Sequence, residues 1–152
     1  MLKKTSQTLS LIEEVIERAP QEDRGFLEAA FCGYISALAY AEIERAVHDI
    51  LNERFRKTED QKISQFASNA LGKGKAKISK SDIADLVKRF GDECKDAFNG
   101  SVDPAHIQKY ANLITCRHNL AHGEPENETL RTAKDGIDAA HELLGALKTA
   151  IL

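Results

Sequence analysis

Tryptophan is missing from this 152-residue chain, proline occurs three times, and aromatic residues make up 6% of it. An all-β sandwich needs frequent turn signals and aromatic or β-branched runs, so this scarcity argues against one. Cysteine occurs at Cys32, Cys94 and Cys116, an odd set with no Cys-x-x-Cys. That pattern argues against a disulfide framework or a zinc knuckle and fits reduced thiols in a cytosol. An excess of positive charge is also lacking: the formal net charge is −3. A protein that coats long nucleic acid by charge alone would be basic. A short stretch of RNA engaged at a local positive site stays compatible with the balance. The basic start Met1–Gln7 has no continuous apolar core behind it, because Glu13 and Glu14 interrupt the only candidate. No signal peptide is therefore expected. No segment approaches the ~20 apolar residues of a membrane span, so the expectation is a cytoplasmic protein without a membrane partner. There is no internal repeat and no low-complexity tract.

What is present favours helices. Ala, Leu, Glu and Lys dominate, all good helix formers. Apolar residues at 42% and charged residues at 30% suit one domain, residues 1–152, with one hydrophobic core. The expected fold class is all-α, an antiparallel helical bundle of about five to six helices with a short-helix and loop insertion. A first helix is predicted from about Thr8 to Ala19, stopped by Pro20. The longest follows, roughly Gln21 to Arg56. Its apolar seams run through Phe26, Ala30, Gly33, Ala37, Tyr40 and Val47, and through Leu27, Phe31, Tyr34 and Leu38. A greasy face that wide belongs to a central helix, and Gly33, Ala37 and Ala41 are small enough to let another backbone approach. Glu44 interrupts the first seam. It either reaches solvent near Arg45 and His48 or anchors a cation of a site, since unpaired burial of a carboxylate costs several kcal/mol.

A short helix is expected from about Asp60 to Leu71, with Ile63 and Phe66 inward. Gly72–Lys77 is not a P-loop, because the Gly-x4-Gly-Lys-Ser/Thr spacing is absent. Its Lys73, Lys75 and Lys77 are the best local candidates for backbone phosphates, although most such loops are solvated linkers. Ser79 or Ser81 can cap a helix to about Phe90, and Asp92–Phe98 adds a turn or two. Asp103-Pro104 is a strong start signal for a helix running to about Ala121 or His122. Gly123 stands where a left-handed cap belongs. The last helix, about Glu128 to Ile151, has the cleanest seam: Leu130, Ala133, Ile137, Ala140, Leu144, Leu147 and Ile151.

The chemistry concentrates in Thr115–Gly123. Here Arg117, His118, Asn119 and His122 place a fixed cation, two imidazoles and an amide within a few residues. Histidine suits proton transfer near neutral pH, its unperturbed pKa being ~6.5. The arginine fork suits two phosphate oxygens and stays charged. A plainer reading is that basic residues collect near a helix C-terminus because the dipole favours them there. Five residues of ideal helix separate Arg117 and His122 by about 140°. They converge within one chain only if the helix loosens near its end or the arginine reaches around. His118 and His122, at i and i+4, could share a metal face. No Glu-x-x-His accompanies them, and His106 and His141 lie elsewhere, so no metal is expected. Cys116 reads as a small buried thiol.

The Arg117-x4-His122 pair, with a polar residue directly after the arginine and an Ala-His-Gly ending, in a helical chain of this size, resembles the HEPN superfamily. The likeness is closest to its toxin- and defence-type nucleases. It covers the architecture from the long second helix onward. The resemblance implies a metal-independent endoribonuclease with no cofactor, which leaves a 2′,3′-cyclic phosphate. It implies a homodimer in which Arg117 and His122 of both chains line one cleft. His118, Asn119 and Glu44 would support them, and an antitoxin or other regulatory protein would restrain the activity. The alternative it allows is a non-catalytic HEPN module that binds RNA, nucleotide or a protein partner.

Overall fold

The computed structural model describes residues 1–72, 78–122 and 129–152. Lys73, Lys75, Lys77 and Gly123 thus lie outside the described residues. The described residues form seven α-helices and no strands: α1 Lys3–Arg18, α2 Gln21–Arg56, α3 Gln61–Gly72, α4 Lys80–Lys88, α5 Asp92–Gly100, α6 Pro104–His122 and α7 Leu130–Ile151. The all-α bundle is as expected, and there are seven helices against the expected five to six because the segment from Asp92, read as an added turn or two, is a helix of its own, α5, set off from α4 at Gly91.

α1 begins five residues before the expected start, and the reason is tertiary. No local side chain caps it. Instead Glu42 on α2 accepts the backbone N–H groups of Lys4 at 3.2 Å and Thr5 at 2.7 Å, satisfying donors that a helix start leaves open. Fully buried Leu2 pins the chain just ahead of them. The remaining caps are local and follow the sequence. Ser79 Oγ accepts from Asp82 N–H at 3.2 Å, Asp103 Oδ1 from Ala105 N–H at 2.7 Å, and Thr129 Oγ1 from Thr132 N–H at 3.2 Å. Gly91 joins α4 to α5 with φ +133°, a conformation that side chains with a Cβ rarely adopt.

The core lies where α2, α6 and α7 meet. Every residue of the α7 seam from Leu130 to Ile151 named above is buried. Gly136 on α7 lets the α6 backbone come close: a Cβ there would stand 2.6 Å from Leu113 Cβ and 2.9 Å from the Lys109 carbonyl oxygen. Tyr110, buried on α6, donates its hydroxyl hydrogen to the Ile78 carbonyl and so ties α6 to the segment entering α4.

Two expectations about α2 and α3 need correction. On α2 the buried residues are Cys32, Gly33, Ile35, Ser36, Ala39, Ile43, Ala46, Val47, Ile50 and Leu51, so Gly33 and Val47 of the expected seams are covered, whereas Phe26 is 77% exposed and Tyr34 54% exposed. A helix apolar over so wide an arc offers more than one stripe, and the seating of α6 and α7 selects among them. On α3, Ile63 and Phe66 face outward, 58% and 75% exposed, because among the described residues α3 packs mainly on α2. The absence of a membrane-length segment also needs qualifying: α2 is long and apolar enough to cross a membrane by length and composition. In this fold its middle is a wall of the core.

Candidate functional site

The C-terminal half of α6 is held on α2 by layers of contact. Cys116 is buried, with its sulfur 3.4 Å from that of Cys32 and accepting from the Ser36 hydroxyl at 3.1 Å. Next to it, the partly buried Arg117 lays its guanidinium over the Tyr40 ring, 4.6 Å from the centroid. One turn later Leu120 packs on Gly33, its methyls 3.1 and 3.2 Å from where a Cβ would stand. Gly33, Ser36 and Tyr40 recur at helical spacing along α2, and Cys116, Arg117 and Leu120 answer them along α6.

α6 continues as regular helix to His122, so it does not loosen ahead of that residue. Arg117 turns toward α2, while His118 and His122 are exposed on another face. Their i, i+4 spacing brings the two rings to 4.3 Å between centroids at 54°. Asn119 is partly buried. The site therefore offers an arginine clamped against an aromatic face and a pair of solvent-facing imidazoles, of which His122 stands in the last turn of α6 at the negative end of its dipole. Among the described residues, the ion pairs formed with Asp and Glu do not include Arg117.

Glu44 sits partly buried on α2, one turn beyond Tyr40, and forms no ion pair among the described residues. Glu42, two residues earlier on α2, instead caps the start of α1. Burial alone would raise its pKa. The Thr5 and Lys4 hydrogen bonds and the Arg45 charge prevail, and hold it below the usual carboxylate value. His106 pairs through Nδ1 with Glu142 of α7. His141 is partly buried on α7, and desolvation with the N-terminal ammonium pushes its pKa down. Among the described residues no group of three or more His, Cys, Asp or Glu is arranged to hold a metal ion.

Tyr40, Gly33 and Ser36 were not legible as partners of the motif. Tyr40 read as one more apolar position of a seam, and only the crossing of α6 over α2 places it under Arg117. Of the small residues Gly33, Ala37 and Ala41, which signal a close approach on α2, Gly33 is the one on which Leu120 packs.

The comparisons with curated proteins and with solved structures return no match. A family model does match, described as RiboL-PSP-HEPN, over residues 3–152. With nearly the whole chain covered, an all-α bundle, and the Arg117-x4-His122 pair at the end of α6, the protein belongs to the RiboL-PSP-HEPN family of the HEPN superfamily.

Proposed function

We propose that the protein is a metal-independent endoribonuclease of toxin or defence type, active as a cytoplasmic homodimer. The observation that carries this reading is the composition of the α6 end: an arginine not neutralised by any described carboxylate, beside two exposed imidazoles. RNA cleavage by transphosphorylation needs those groups. A base removes the 2′-hydroxyl proton, the 2′-oxygen attacks phosphorus, the bond to the 5′-oxygen breaks, and an acid returns a proton to that oxygen. The products are a 2′,3′-cyclic phosphate and a 5′-hydroxyl. Histidine fills the proton-transfer roles, and Arg117 stabilises the charge on the non-bridging oxygens. Within one chain Arg117 and His122 leave a regular helix about 140° apart. Two copies facing each other through their α6 ends would set the arginine of one chain against the imidazoles of the other. RNA is then the substrate, and a separate antitoxin or regulatory protein would restrain it. Lys73, Lys75 and Lys77 are the proposed backbone-phosphate contacts.

The divergence of Arg117 from His122 on one helix also favours a second reading, a non-catalytic module that binds RNA, nucleotide or protein. One assay separates them: purified protein incubated with RNA in excess EDTA beside Arg117→Ala and His122→Ala. The enzyme reading expects cleavage by the wild type only, with both variants folded. Equal cleavage by all three would identify a contaminating nuclease and end the claim, and binding without cleavage would select the module.

A further inference from the structure

We propose that Tyr40 is a positioning residue for Arg117, an aromatic seat that fixes the guanidinium while leaving its charge and its N–H donors for phosphate oxygens. The proposal rests on the phosphodiester reading above and concerns how the same site is built. An arginine that must meet a phosphate needs a defined place, a full charge and unspent donors. A carboxylate partner supplies the place but takes up the donors and cancels the charge at close range. An aromatic face attracts the cation through its quadrupole and accepts none of the in-plane N–H bonds. The arrangement here is of the second kind. The guanidinium carbon lies 4.6 Å from the Tyr40 centroid. Among the described residues no carboxylate oxygen stands within ion-pair distance of it. Glu44, the nearest acidic residue on that side of α2 in sequence, sits one turn beyond and does not take the place of the ring.

The seat is also rigid. Tyr40 belongs to the long α2, and α6 is fixed against the same helix three residues after Arg117, where Leu120 closes on Gly33. The side chain is partly buried, which removes competing water and strengthens the contact relative to an exposed pair. The arginine is thereby held in one orientation before any substrate arrives, and an ordered cation loses less freedom when it engages a phosphate.

The test compares Tyr40→Phe, Tyr40→Leu and Arg117→Ala in the full-length protein. The ring face survives in Tyr40→Phe, so its kcat/KM on RNA should stay within about 2-fold of wild type. Tyr40→Leu keeps an apolar side chain without a quadrupole. A cation–π contact of about 0.5–2 kcal/mol corresponds to a loss of about 2- to 30-fold. That loss should fall in kcat more than in affinity for uncleavable 2′-O-methyl RNA. A second readout does not depend on cleavage: ring-current displacement of the Arg117 side-chain protons by NMR should persist in Tyr40→Phe and vanish in Tyr40→Leu. Equal damage in the Phe and Leu variants, or an active Tyr40→Leu beside a dead Arg117→Ala, would overturn the proposal. So would Arg117 protons that do not respond to loss of the ring. If the wild type cleaves no RNA the nuclease reading fails, and the NMR comparison alone decides whether Tyr40 seats Arg117.

Discussion

Replacing Gly136 by alanine should destabilise the protein, against the rule that alanine improves a helix. At an unconstrained interior position the exchange gains about 1 kcal/mol of helix propensity. At Gly136 the added Cβ meets Leu113 Cβ at 2.6 Å and the Lys109 carbonyl oxygen at 2.9 Å. Carbon atoms pack best at about 3.5–4.0 Å, so α6 and α7 must separate by about 1 Å. No rotamer relieves this, because the obstacles are a backbone oxygen and the first atom of a side chain. Overpacking of this kind costs about 1–3 kcal/mol. Gly145, on the same helix, is the control, since among the described residues a Cβ there meets nothing within 4 Å. The propensity gain cancels between the two variants and leaves the contact cost. At about 2–4 °C per kcal/mol for a chain of this size, Gly136→Ala should melt about 2–12 °C below Gly145→Ala. Thermal unfolding followed by far-UV circular dichroism reads the difference directly. A Gly136→Ala variant that melts at or above Gly145→Ala would refute the close approach of α6 to α7 on which the seating of the motif depends.

Three further outcomes follow from the same packing. Glu42→Ala removes the cap that α2 lends to α1 and should lower stability by about 1 kcal/mol in denaturant titration, with hydrogen exchange rising at Lys4 and Thr5; unchanged exchange there would count against the cap. Stability should also fall with acid. Glu42, held below its ordinary carboxylate value, contributes stability that is present above the unfolded-state pKa and lost as pH drops through the folded one. His141 is held below 6.5, so the unfolded chain takes up its proton first and stability declines as pH falls through ~6.5. His141→Gln should flatten the decline of melting temperature between about pH 7.5 and 5.5, and an unaltered slope would remove His141 from the account. Tyr110→Phe strands the Ile78 carbonyl inside the protein and should cost about 1–3 kcal/mol in denaturant titration; a neutral effect would mean that carbonyl finds water.

Much of the fold could be read from local signals because those signals act locally. Asp103-Pro104 starts α6 by capping and preset φ, Ser79 starts α4, and the three- and four-residue steps of α7 leave one arrangement in which Leu130 through Ile151 are covered. α1 is the counterexample. Its true start has no cap of its own, since the acceptor comes from Glu42 on another helix. Phe26, Tyr34, Ile63 and Phe66 show the other limit: an apolar residue is dry only if a neighbouring element lands on it, and no periodicity says where that element lands.

The order of residues alone puts Arg117, His118 and His122 in the last turns of one helix and joins the two imidazoles, because i, i+4 neighbours on a helix must meet. It puts Arg117 and His122 about 140° apart on an ideal helix, and the structure made that separation actual by keeping α6 regular to His122 and turning Arg117 onto Tyr40. That Arg117 lies on Tyr40, that Leu120 finds Gly33, and that Cys116 touches Cys32 came only with the crossing of α6 over α2. Such contacts join residues far apart in the chain, and they exist because burying the shared apolar stripe between those two helices brings them into register.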